Sequence, residues 1–290
     1  MNPGSAGVPP AVVRAYRPHS IAIKLAATTV QRMIDTPDNR PAIQFQNVSY
    51  RLESGYELLR NLNLEVQRGE TLVLLGRSGS GKTTTLKLIN RLLLQSEGDI
   101  RVDGRSVSEW DVIRLRRMIG YVIQEVGLFP HFTVARNIGV VPQIEGWPAD
   151  LIKSRVQELL QLVGLEEQLA SRYPRELSGG QRQRVGVARA LAADPIFLLM
   201  DEPFGALDPI TRAELQQEFL ALQGGLGKTV VFVTHDLREA LLLGTRIALM
   251  EAGQLVVTHT PDEFLHSTNP LVVAYVDAFK TMRGGHDESR

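Results

Sequence analysis

The sequence predicts an α/β protein with a mainly parallel sheet, and three observations carry that prediction. Residues 71–75, 197–200 and 229–233 are continuous apolar runs, the pattern of strands covered on both faces. Stretches with a helical period separate them. A glycine-rich loop joins the first run directly to a helix, giving the order strand, loop, helix.

Ordered structure is expected to begin at Ala42. Ile43, Phe45 and Val48, with polar residues between them, predict a half-buried strand; Leu62, Leu64 and Val66 repeat the alternation after a turn, so the two should pair antiparallel. Residues 82–94 place Leu86, Ile89, Leu92 and Leu93 on one helical face. The same period runs over 149–163 through Leu151, Ile152, Val156, Leu159, Leu160 and Val163, and Gly164 is placed to stop that helix. Helices are also expected over 181–193 and over 209–222, the latter between the last two apolar runs. No internal repeat or low-complexity tract interrupts this core.

Composition removes several classes of function. The 32 basic and 32 acidic residues of the 290-residue chain cancel, so the excess positive charge of a non-specific nucleic-acid binder is missing, and no nucleic-acid partner is expected. Without cysteine there is neither a disulfide framework nor a thiolate metal site. The longest apolar runs fall far short of the ~20 residues a membrane helix needs.

The first 41 residues differ from the rest: they contain Pro3, Pro9, Pro10, Pro18, Pro37 and Pro41, and no acid precedes Asp35. A flexible N-terminal extension (1–41) is expected. Its bases Arg14, Arg17, Lys24 and Arg32 and its apolar stretch 21–30 have the look of a targeting segment, but Lys24 interrupts the stretch, which also starts too late for a secretory leader. Met33 is an alternative start. A disordered tail is expected over 280–290.

Three motifs carry chemistry. Gly76-Arg77-Ser78-Gly79-Ser80-Gly81-Lys82-Thr83, followed by Thr84, fits a phosphate-binding loop: the glycines let successive N–H groups face phosphates at a helix N-terminus. Lys82 is then expected to reach the β and γ phosphates and Thr83 to ligate Mg2+. The apolar strand ending at Met200 presents Asp201, a candidate metal ligand, and Glu202, a candidate general base for water, at its carboxyl end. Ser178, Gly179, Gly180 and Gln181 open the 181–193 helix as a second anion site. An ordinary Ser178 N-cap would account for the serine but not for the following Gly-Gly-Gln.

With Leu177-Ser178-Gly179-Gly180-Gln181 in place, the sequence resembles the ATP-binding cassette (ABC) ATPases over residues 42–279. The resemblance implies a P-loop NTPase fold with a mixed β-sheet RecA-like core, an antiparallel β-subdomain and an α-helical signature subdomain at about 125–190. Gln124, after Tyr121-Val122-Ile123, is similar to the family's glutamine that contacts magnesium and links the site to a membrane subunit. Ala206-Leu207-Asp208 resembles the D-loop, and His235, after Val233-Thr234, resembles the switch histidine that contacts the γ-phosphate. The family assembles as a head-to-tail dimer in which each ATP lies between one copy's phosphate loop and the other's signature, so Ser178 to Gln181 are expected to act on the partner's nucleotide. One departure stands out: the family often stacks an aromatic residue on adenine shortly after Val48-Ser49, where this chain has Leu52. Tyr50, Tyr56 or neither could substitute.

The stretch between Gln124 and Ser178 is too short for the coiled coil of chromosome-organising relatives, and a single phosphate loop disfavours paired-cassette translation factors. What remains is a separate importer ATPase on the cytoplasmic face of the inner membrane, working with a transmembrane permease subunit and, indirectly, a periplasmic or lipid-anchored solute-binding protein. The run from Arg116 to Gln124, Gly127-Leu128-Phe129-Pro130-His131-Phe132-Thr133-Val134 and Asp201-Glu202-Pro203-Phe204-Gly205-Ala206-Leu207-Asp208-Pro209 are similar to ATPases for quaternary-amine osmoprotectants such as glycine betaine, choline and proline betaine. Importers of amino acids or sulfonates and soluble, non-transport ABC ATPases are the alternatives. Residues 125–134, with Leu128, Phe129 and Phe132, read either as the docking surface for the permease or as core packing.

Overall fold

The structure is a computed structural model and describes residues 40–124, 126–205 and 207–284. The expected N-terminal extension, apart from its last two residues, lies outside the described residues, as do Glu125, Ala206 of the expected D-loop and residues 285–290.

Strands β1 (Ile43–Arg51) and β2 (Glu57–Val66) pair antiparallel with Ile43 opposite Val66 and Phe45 opposite Leu64, as the alternation predicts. β3 (Thr71–Gly76) leads through the glycine-rich loop into α1 (Lys82–Ile89). This helix ends earlier than residue 94. Asn90 caps it, Arg91 turns into left-handed backbone at φ 55°, and Arg116 donates to the carbonyls of both residues. Leu92 is therefore left exposed while Leu86 and Ile89 are buried.

The chain continues through β4 (Glu97–Val102), β5 (Arg105–Ser106), α2 (Val112–Arg117) and β6 (Ile119–Val122), then α3 (Val134–Ile144) and α4 (Ala149–Leu162). Two short 3-10 turns precede α5 (Gly179–Leu191). β7 (Phe197–Asp201), α6 (Pro209–Leu226), β8 (Thr229–Thr234), α7 (Leu237–Leu243), β9 (Arg246–Glu251), β10 (Gln254–His259), α8 (Pro261–Leu265) and α9 (Pro270–Gly284) complete it. The final helix continues past Phe279 to Gly284, so residues 280–284 of the expected disordered tail are helical.

Two sheets result, a four-stranded antiparallel one in the order β2-β1-β4-β5 and a six-stranded one in the order β10-β9-β3-β8-β7-β6. In the larger sheet only β10 runs antiparallel to its neighbour. Both of its faces are buried, which is why its strands read as continuous apolar runs. Val73, Leu75, Leu198, Met200, Val230, Phe232, Ile247 and Leu249 point into the core shared with α3 to α9, whereas Leu72, Leu74, Phe197, Leu199, Val231, Val233, Ala248 and Met250 point into the core shared with α1 and the antiparallel sheet.

The parallel register sets the site. Leu75 lies opposite Thr234, Asp201 opposite Val233, and Val122 opposite Met200, so four strands end at one level and release their following loops at the same edge. Two buried polar side chains fix the helical region beside it. Asn137 accepts from Phe129 N at 2.8 Å and donates to the carbonyls of Phe129, Phe132 and Thr133; Arg155 donates to the Leu191 and Ala192 carbonyls at the end of α5. Leu128 packs against the core, Phe129 is exposed, and the Arg136 guanidinium stacks 3.8 Å over the Phe132 ring.

Phe232 is fully buried between Phe204 and Phe219. Phe232→Ala should lower unfolding stability by about 3–5 kcal/mol, read as a lower urea midpoint.

Candidate functional site

The loop between β3 and α1 can take only certain residues. A Cβ on Gly76 would stand 2.3 Å from the Met250 carbonyl oxygen, and Gly81 adopts φ 99° with a Cβ position 2.4 Å from Leu59. Gly79 is also left-handed, at φ 81°, but open space surrounds it, so a ligand can approach the backbone there. Arg77, Ser78 and Gly79 are exposed, whereas Ser80 and Lys82 are buried. Lys82, 4% exposed, donates to the carbonyls of Gly76 and Arg77 at 2.8 Å each. An ammonium has three donors, so one is left for a phosphate oxygen. Burial pulls its pKa below the usual lysine value, and the carboxylates of Glu202, Asp201 and Glu251 oppose that shift.

The sheet edge brings the acids to the loop. Thr83 Oγ1 donates to Asp201 Oδ1 at 2.9 Å, joining the start of α1 to the end of β7. Burial pushes the Asp201 carboxyl up from its ordinary value, with the Thr83 hydrogen bond pulling the other way. Glu202, one residue on, sits in left-handed backbone at φ 44°, held by its own N–H to the Val233 carbonyl at 3.0 Å. A glutamate in that region is strained, and such strain gathers where a side chain must be aimed. Glu202 Oε2 lies 3.2 Å from His235 Nδ1 and 3.5 Å from Gln124 Nε2. Three loops thus converge on one carboxylate.

These groups surround a cavity of about 780 Å³, lined by Gly76 to Gly79, Gly81 to Thr84, Gln124, Glu202 and His235. Ser178, Gly179, Gly180 and Gln181 do not line it. Ser178 caps α5 in a reciprocal pair with Gln181, its Oγ accepting from Gln181 N at 3.2 Å and its N–H donating to Gln181 Oε1 at 2.9 Å. Ser178 and Gly179 are exposed, whereas Gly180 is buried because Thr211 of α6 would meet a Cβ at 2.5 Å. The ordinary capping role is therefore real, and it leaves an exposed helix start facing solvent.

Comparisons with known proteins identify the family. Residues 59–205 match the family described as ABC transporter. The chain is 53% identical over 219 residues to the glycine betaine uptake system ATP-binding protein YehX of Escherichia coli K12, spanning 76% of this chain and 71% of that protein. The chain belongs to the ABC transporter family. It is also 52% identical over 225 residues to the choline transport ATP-binding protein OpuBA of Bacillus subtilis, covering 78% of this chain but only 59% of that protein. Over 249 residues it is 48% identical to the B. subtilis glycine betaine/carnitine/choline transport ATP-binding protein OpuCA, covering 86% of this chain and 66% of that one. This member of the ABC transporter family thus spans less than two thirds of those two relatives. Among solved structures, a dimeric post-hydrolysis cassette, MJ0796, bound to ADP and Pi superposes with TM-score 0.69 at 34% identity, covering 76% of this chain and 98% of that one.

Family members bind ATP, and the residues present fit a nucleotide with its metal. The paired Thr83 hydroxyl and Asp201 carboxylate are hard oxygen donors, the set Mg2+ takes when phosphates and waters complete its shell. Ser80 Oγ is buried with no protein partner, as in a loop whose polar groups are completed by phosphate. The sequence reading missed Tyr121, whose hydroxyl lies 3.5 Å from Asp201 Oδ2, and the α9 residues Leu271, Ala274, Tyr275 and Ala278 that line the cavity. No sequence pattern marks either. Tyr121 reads as one more strand residue, and α9 approaches only through tertiary packing.

Asp201→Asn should reduce nucleotide affinity in magnesium to the level measured without it, by titration calorimetry. A proton on the raised Asp201 carboxylate would compete with an ion held there. In the wild type the magnesium-dependent part of affinity should therefore fade as pH drops, starting above the usual aspartate range.

Proposed function

We propose that this chain is the ATP-hydrolysing subunit of an importer that takes up quaternary-amine osmoprotectants such as glycine betaine, choline or carnitine. The observation that carries the hydrolytic part is the convergence of Gln124, His235 and the strained Glu202 beside the phosphate loop. In this reading the Glu202 carboxylate accepts a proton from the attacking water as its oxygen bonds to the γ-phosphorus and the bond to the β–γ bridging oxygen breaks, leaving ADP and phosphate. Lys82 stabilises charge on the transferred group. His235 orients Glu202 and reaches toward the γ-phosphate, and Gln124 senses the site's occupancy. Magnesium, held by Thr83 and Asp201, neutralises phosphate charge when bound.

The exposed Ser178-Gly179 start of α5, remote from this chain's own cavity, supports a head-to-tail dimer in which each signature completes the partner's site. ATP then joins the two copies and hydrolysis releases them. In this reading the partner is a transmembrane permease, with this chain on the cytoplasmic face of the inner membrane; no described helix is long and apolar enough to cross a membrane. The 126–134 segment, with exposed Phe129 and the Asn137-fixed turn, is the surface proposed to receive it. The substrate follows from relatives named for choline and glycine betaine transport, because the cassette itself does not contact solute.

Glu202→Gln should retain ATP affinity, accumulate as an ATP-bound dimer on size exclusion and lose at least about a hundred-fold in turnover. Near-normal hydrolysis would remove Glu202 from the role of base. Ser178→Arg and Lys82→Ala should each be inactive alone, and mixing them should restore one working site per dimer; absence of rescue counts against sites shared between copies. Deleting the gene should abolish uptake of labelled choline or glycine betaine under osmotic stress, and unchanged uptake of both would refute the substrate reading.

A further inference from the structure

A carboxylate that the hydrolytic reading leaves unused is buried behind the His235 loop. Glu239, in the first turn of α7, is 5% exposed and does not line the cavity. A charge taken that far from water has to be met by partners. Its Oε2 accepts from the Thr234 hydroxyl at 2.5 Å, the length of a charge-assisted bond, and its Oε1 accepts from Gln216 Nε2 of α6 at 3.1 Å. Burial pushes the Glu239 carboxyl up from its ordinary value, the Thr234 hydrogen bond opposes that shift, and the charges of Asp236 and Arg212 act in opposite senses.

Thr234 is where that carboxylate reaches the site. It ends β8, is 1% exposed and stands next to His235. Its hydroxyl has one proton and two lone pairs, and a carboxylate can only accept. Glu239 therefore takes the proton and turns a lone pair of Thr234 Oγ1 toward Asp236 N, which donates to it at 3.0 Å. That second bond spans His235 and closes the turn that carries its ring. Asp236 goes on to cap α7, accepting from Arg238 N at 2.7 Å. On the other side of Thr234, the Val233 carbonyl receives the Glu202 N–H at 3.0 Å, and His235 Nδ1 meets Glu202 Oε2 at 3.2 Å. The spacing of His235 and Glu202 is thus set by one strand end, pinned by Glu202 through Val233 and by Glu239 through Thr234.

We propose that Glu239 is a positioning residue for hydrolysis, acting through the Thr234 hydroxyl to hold His235 against Glu202. The proposal rests on the roles given above to His235 and Glu202. Losing Glu239 then costs turnover and spares ATP binding, because the phosphate loop and Asp201 are untouched. A carboxylate that served only the stability of the fold would show no dependence on His235.

The test measures ATP hydrolysis at saturating ATP, and ATP affinity by calorimetry, on the full chain. Glu239→Ala, and Thr234→Val, which keeps the side-chain volume, should each lower turnover on the order of ten-fold and leave ATP affinity unchanged. Glu239→Gln should recover most of the turnover, since its amide oxygen accepts the Thr234 proton and Gln216 can turn its own amide oxygen toward the new NH2 group. Thr234→Ser should recover it as well. In a His235→Ala background, adding Glu239→Ala should lower turnover no further, because a residue acting through His235 has nothing left to position. Wild-type turnover in either Glu239→Ala or Thr234→Val, a matching loss of ATP affinity, or full multiplication of the two losses in the double variant overturns the proposal. So does Glu239→Gln turning over as slowly as Glu239→Ala. Thr234→Val and Glu239→Gln carry the test if Glu239→Ala does not fold. His235→Ala by itself should lose turnover; wild-type hydrolysis there means that the His235 reading has failed and the proposal with it, an outcome separable from the Glu239 single variants.

Discussion

The site depends on one constraint, the common level at which four parallel strands of a doubly covered sheet end. Register between parallel strands is fixed by backbone hydrogen bonds and by side chains alternating between two buried faces, so a slip of one residue would exchange the two cores. With that register locked, the loop after β3, the acids ending β7, His235 after β8 and Gln124 after β6 must emerge side by side. Residues separated by more than a hundred positions, Thr83 and Asp201 among them, are brought within hydrogen-bonding distance without any local element bending to reach.

Strain and burial are concentrated at that edge. Glu202 keeps left-handed backbone that its side chain disfavours, Lys82 is buried with neighbouring carboxylates to hold its charge, and Asp201 is desolvated beside Thr83. Each would weaken an ordinary turn. Together they place opposite charges in a low-dielectric setting, where their interactions are stronger than in water. The sheet is stable enough to impose these costs because both of its faces are covered.

The helical region between β6 and β7 is secured differently. Buried Asn137 and Arg155 satisfy turn and helix-end carbonyls, and the α5 start is closed by the Ser178–Gln181 pair. These are local polar devices on the rim of the main core, and they leave Phe129 and the Ser178-Gly179 helix start facing outward. Surfaces built this way can meet other chains without disturbing the nucleotide side of the sheet.

Local chemistry in the sequence wrote the buried strands through their unbroken apolar runs, the glycine-rich loop between β3 and α1 through its spacing, and the acids Asp201 and Glu202 at a strand end, while His235 was marked by the family resemblance. It overextended the helix after the loop, because the Arg116 contacts that end it come from a distant segment. Only the tertiary structure decided which strand ends share a level and that Leu271, Ala274, Tyr275 and Ala278 of α9 line the cavity beside the glycine-rich loop. Those are relations between segments far apart in sequence, set by sheet register and helix docking, and neither leaves a mark in the local order of residues.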